Sequence, residues 1–226
     1  MIRTHIQHGE GPCGLPLMKF TLTYEGELKS NDKPKPKWEI RKQIYPQLKE
    51  LWNTNPTLKH VRRRRRIPRD GYLPIEAAHH SLPQAALHAP LRENEIDLCA
   101  PVVRGGRQFW PLVRESYALT CALRILFLRA EEPGRIYQGG DIDNRLKTLL
   151  DALAVPRDET HVIADTSLDD PIYCLLEDDA LIVGLDIATH RLLAPKSTSK
   201  HEVKLIIEVD VRVSQSRIYN HPFLGD

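Results

Sequence analysis

The chain has 226 residues, with 32 Lys and Arg against 30 Asp and Glu and a formal net charge of +2. That length holds one sizeable domain with a real hydrophobic core, and the near-neutral sum by itself points to no charged partner. No long apolar run marks a membrane span and no signal-peptide core opens the chain; Cys13, Cys99, Cys121 and Cys174 are too scattered for a zinc knuckle or a disulfide scaffold, which fits a reducing, cytoplasmic setting.

Residues 1–17 read as an irregular arm. KFTLTYE, 19–25, alternates aromatic and β-branched residues and predicts a first strand. In LKSNDKPKPKW, Pro34 and Pro36 predict an extended loop that presents Lys33, Lys35 and Lys37 as a basic comb. WEIRKQIYPQLKELW, 38–52, repeats Ile40, Ile44, Leu48 and Leu51 near the helical period, and Pro46 inside it predicts a kink or a split. Prolines recur through 53–110, so this stretch reads as an insertion of short pieces.

YALTCALRILFLR, 117–129, is the strongest strand candidate, with Leu119, Cys121, Leu123, Ile125 and Phe127 on one face. Residues 144–154 predict a helix striped by Leu146, Leu149, Leu150 and Leu153, with Asp143 or Asn144 able to cap it. Residues 155–180 form an acidic connector, and LIVGLDIATHRL, 181–192, predicts a strand. VKLIIEVDVRV, 203–213, alternates cleanly between an apolar face and a partly solvated one. These elements predict an α+β class. A small mixed sheet packs with helices in one domain, 18–214, interrupted by the Pro-rich insertion and followed by a tail, 215–226.

Charge is distributed unevenly along the chain. Lys59 to Arg69 holds seven basic residues in eleven, including Arg62, Arg63, Arg64, Arg65 and Arg66; Asp158 to His190 holds nine acids and neither Lys nor Arg. The basic run reads either as a solvated face or as a set of phosphate-backbone contacts. Asp141 and Asp143 are two apart, so an extended backbone would point both carboxylates to one side. Such a pair is relieved by a divalent cation with hard oxygen ligands, or is simply a solvated loop with a capping Asp. Lys147 lies one turn further on, able to meet an anionic substrate.

GDIDNRLKTLLDAL at 140–153, followed by EDDALI at 177–182, resembles the RusA-like crossover-junction endodeoxyribonucleases. The resemblance implies a small homodimeric α+β enzyme that resolves branched DNA, above all Holliday junctions, with Mg²⁺ or alternatively Mn²⁺. By it, Asp141, Asp143 and Asp179 bind metal, Lys147 completes the catalytic set, and Asn144 and Asp178 support it. Ser30 and Asn31 match the polar loop after the first strand. The chain departs from that pattern in three places. GRIYQGG, with only Arg135 near, replaces a basic run before the acidic pair; 53–110 has no counterpart; and the connector to Asp179 is enlarged. Two other readings stay open: an inactive branched-DNA-binding protein, and a structural protein whose insertion binds protein or RNA.

Overall fold

The computed structural model describes residues 18–30, 33–63, 66–68, 93, 95–130, 141–165, 167–196 and 199–224. The expected arm at 1–17, most of the Pro-rich stretch, Asn31, Arg64, Arg65 and Arg135 lie outside the described residues, as does the side chain of Arg63. What is described is a mixed α+β fold with helices packed against a mixed sheet.

The period-2 segments form the main sheet. Strand β1 (Met18–Glu27) pairs antiparallel with β9 (Glu202–Val213), and β9 pairs antiparallel with β6 (Leu119–Arg129). Strand β8 (Ile182–Arg191) lies at the edge, parallel to β6. The register sets Ile125 beside Ile207 and Leu123 beside Val209, so the apolar alternations of the two central strands fall on one face. That face is buried throughout; each large side chain so removed from water contributes roughly 1.5–3 kcal/mol. The opposite face is mixed: Arg124 stands between Asp186 and Glu208, and Leu126 lies beside Ile206.

Helix α1 (Pro34–Thr54) covers the apolar face through Ile40, Ile44 and Leu48. Two expectations change here. The Lys33–Lys37 stretch is not an extended comb, because Pro34 stands in the first helical turn, where its missing N–H is harmless and its fixed φ suits a helix. Pro46 does not split the helix, which runs unbroken through it with the proline exposed.

The region read as an insertion of short pieces contains several short elements among its described residues. It contains helix α2 (Pro56–Arg63), a small ribbon of β2 (Arg66–Pro68) with β3 (Glu95–Asp97), and a hairpin of β4 (Val102–Arg104) with β5 (Arg107–Val113). The acidic connector likewise hides a buried strand, β7 (Ile172–Leu176), which pairs parallel with β5. An aromatic stack of Trp52, Trp110 and Tyr173, with ring centroids 5.3 and 5.6 Å apart, ties α1 to this second sheet. The expected tail packs instead as a 3-10 segment, Ile218–Leu224. There Phe223 is buried and the amide of the buried Asn220 donates to the Tyr117 carbonyl.

Helix α3 (Asp141–Leu153) follows β6 and runs back along the sheet. No described helix is long and apolar enough to cross a membrane.

Candidate functional site

Helix α3 sorts its side chains by the helical period. Arg145, Thr148, Leu149, Ala152 and Leu153 are buried, while Asp143, Asn144 and Lys147 are exposed and Asp151 is half-buried. Residues four apart share a face, so Asp143, Lys147 and Asp151 form one polar stripe along the helix.

The helix begins at Asp141, not after Asp143, which corrects two expectations. Asp141 and Asp143 do not sit on an extended backbone; two residues apart in a helix are turned far from one another. Neither Asp143 nor Asn144 is the cap, since both stand inside the first turn. Of Asp141, only the backbone is described.

The two acidic segments lie at opposite ends of α3. At its start, Arg145 reaches the His201 ring at 3.3 Å, beside the end of the sheet where β6 finishes and β9 begins. At its finish, Ala154 bridges to Leu176, and β7 leads into Asp178 and Asp179 where β6 and β8 begin. Asp143 is eight residues from Asp151, about 12 Å along the axis at the helical rise. Asp143 and Asp179 of one chain therefore do not meet. Among the described residues, no three His, Cys, Asp or Glu side chains converge to hold a metal. One ion shared by Asp143 and Asp179 within a chain does not fit this arrangement.

A small cleft instead gathers groups from four segments at the far end of the stripe. Its cavity of about 40 Å³ is lined by Lys37, Arg41, Asp151, Arg157, Asp178 and Asp179, with His161 at its side. Lys37 Nζ donates to Asp151 Oδ2 at 2.8 Å. Arg41 Nη2 donates to the carbonyls of Asp151 and Ala154 at 3.2 and 2.8 Å, so a cation closes the negative end of α3. Burial pushes the Arg41 guanidinium down to about 10. Arg157 Nη2 donates to Asp179 Oδ2 at 2.8 Å, and Asp178 caps its own 3-10 turn by accepting from the Ala180 N–H. His161 faces Asp158 at 3.1 Å; the Thr160 hydroxyl is the main reason the Asp158 carboxyl is held below its usual range.

The other expected DNA contacts are distributed differently. Lys33 and Lys35 are exposed at the start of α1, but Lys37 is buried in its pair with Asp151. Of the arginine run, the side chains of Arg62 and Arg66 are described. Arg62 is exposed on α2, its guanidinium 5.1 Å from the Trp110 ring, whereas Arg66 sits half-buried in β2 opposite Asp97. Arg41, Asp151 and Arg157 did not stand out in the sequence. The one available signal was the four-residue spacing of Asp143, Lys147 and Asp151.

No protein-family model, curated protein or solved structure significantly matches the chain.

Proposed function

We propose that the protein is a metal-dependent endonuclease acting on phosphodiesters of branched DNA, with Holliday junctions the foremost substrate and a two-fold homodimer the working unit. The observation that carries this reading is the polar stripe of α3. Asp143, Lys147 and Asp151 lead from the segment GDIDN to a cleft containing Asp178 and Asp179. These are the segments whose order resembles the RusA-like enzymes. Exposed Lys147 suits an anionic strand lying along the helix. Two copies related by a two-fold axis would offer two such tracks to the symmetric strands of a junction.

Mg²⁺ or Mn²⁺ enters through the resemblance. Such an ion would supply Lewis-acid stabilisation of the phosphate and a more acidic water. By the resemblance its oxygen donors would be Asp141, Asp143 and Asp179, of which Asp141 and Asp143 are turned apart at one end of α3 and Asp179 lies at the other. Because these ends are apart, no step is routed through an ion common to both.

The separation of Asp143 from Asp179 favours a second reading, a branched-DNA-binding protein without turnover. A synthetic mobile four-way junction with Mg²⁺ distinguishes the two. The nuclease reading expects cleavage by the wild type and a loss of about a hundredfold or more in Asp143→Asn, the scale of removing one group that stabilises developing charge. Tight junction binding without cleavage leaves the second reading standing, and equal cleavage by both proteins sinks the assignment to Asp143.

A further inference from the structure

We propose that the cleft between the start of α1 and the Asp178–Asp179 turn is a seat for one phosphate group, with Lys37 and Arg157 as its contacts and Arg41 as the fixed charge behind it. The choice of a phosphodiester as natural ligand rests on the nuclease reading; the anion chemistry of the cleft stands by itself.

Four observations support it. First, α1 begins against electrostatic preference. A helix start is its positive end and favours acids and a side-chain cap. Here Lys33 occupies the cap position without a side-chain cap bond, no acid stands in the first turn, and Lys35 and Lys37 follow. Of these residues Lys37 lines the cleft, where an anion would meet its positive charge.

Second, Arg41 lies one turn further along the same helix and lines the cleft while being only 3% exposed. Its Nη2 is used by the α3 carbonyls, but its Nε has no hydrogen-bond partner and no ion pair is formed by it among the described residues. A buried guanidinium without a direct carboxylate partner is costly. It leaves a positive potential in the cleft wall.

Third, the carboxylates of the cleft are already engaged. Asp151 is held by Lys37, Asp179 by Arg157, and Asp178 by the Ala180 N–H. Arg157 is the most accessible of these groups, its side chain 64% exposed, so it can turn from Asp179 to an entering anion. Fourth, the size fits. A cavity of about 40 Å³ exceeds the roughly 10–15 Å³ needed by one water, and suits one phosphate-sized group rather than a nucleoside.

The pairing of Arg157 with Asp179 has a consequence. When Arg157 turns to phosphate, the Asp179 carboxylate is released to accept a cation. Phosphate and a divalent cation should then strengthen each other's binding, and by linkage the effect must be equal in both directions.

The test is titration calorimetry with inorganic phosphate and, separately, anisotropy with a short labelled single-stranded oligonucleotide, each with and without Mg²⁺. Wild type, Arg157→Ala, Lys37→Met and a remote surface control, Lys196→Ala, are compared, and their folds are checked by circular dichroism. Loss of the charge-assisted bonds in Arg157→Ala should weaken phosphate by about tenfold and remove its coupling to Mg²⁺. Lys196→Ala should bind as the wild type does. Arg157 is exposed, so this variant reads the seat even where Lys37→Met fails to fold. Binding of the oligonucleotide but not of free phosphate, with the same sensitivity to Arg157, assigns the seat to phosphodiesters. Equal binding by wild type and Arg157→Ala overturns the seat, whether or not the protein cleaves junctions. Arg157-sensitive binding in a protein that cleaves no junction removes the nuclease reading and leaves the seat.

Discussion

Asp165 shows how much one exposed-looking acid can organise. Its carboxylate accepts from Lys42 Nζ at 2.7 Å, from Trp38 Nε1 at 3.1 Å and from the Ser167 N–H at 2.8 Å. The Lys42 bond, followed by those from Ser167, holds its pKa far below the ordinary value of 3.8. A carboxyl depressed in the folded state stabilises the fold above its unfolded value, and that contribution fades as pH falls below it. Asp165→Asn should therefore be less stable than the wild type at pH 7, with a smaller gap at pH 2.5. Urea denaturation at both values checks this, and an unchanged gap would show that Asp165 acts through shape alone. In the sequence, Asp165 was one of eight acids in a connector; only the fold showed that α1 comes within reach of it.

At the scale of elements, the β4–β5 hairpin rests on two glycines. Gly105 and Gly106 have φ of +52° and +74°, both in the left-handed region suited to a tight two-residue turn. A Cβ on Gly105 would lie 2.9 Å from Val162 Cβ, whereas one on Gly106 would meet nothing within 4 Å. Gly105→Ala should thus lower stability by clearly more than the about 1 kcal/mol that backbone strain alone costs Gly106→Ala. Thermal unfolding of the pair measures the difference; equal losses would mean that the Val162 contact yields freely. This turn positions β5, a strand missed in the sequence because Pro111 interrupts its pattern. The structure explains the tolerance: β4 pairs only as far as Phe109, so at Pro111 the described strand has β7 as its one neighbour. Strand β7 was missed for another reason. IYCLL is buried on both faces and has no alternation to read.

At the scale of the molecule, the charge pattern along the chain becomes a different pattern in space. Of the basic run, Arg62 is exposed on α2 and Arg66 is half-buried in a ribbon. If Arg62 meets a junction phosphate, Arg62→Ala should reduce the slope of log affinity against log salt by about one while leaving sequence preference unchanged. Junction binding measured over a salt series tests this, and an unaltered slope would restrict Arg62 to its packing over Trp110. The acidic groups divide as well. The segments that resemble one metal site lie at the two ends of α3, and one of those ends is closed by Lys37, Arg41 and Arg157.

The amino-acid sequence alone determined the elements with a clear period. The strands around Ile125 and Ile207 and the stripes of α1 and α3 were legible because burial of one face imposes a repeat of two or 3.6 residues. It also marked Asp143, Lys147 and Asp179 as chemically notable. Only the tertiary structure decided which of them share a space. It set Lys37 against Asp151, 114 positions later, and kept Asp143 a helix length from Asp178 and Asp179. The physical reason is that periodicity states which face of an element is buried, whereas a site depends on which elements pack end to end. That is governed by long-range contacts with no local repeat.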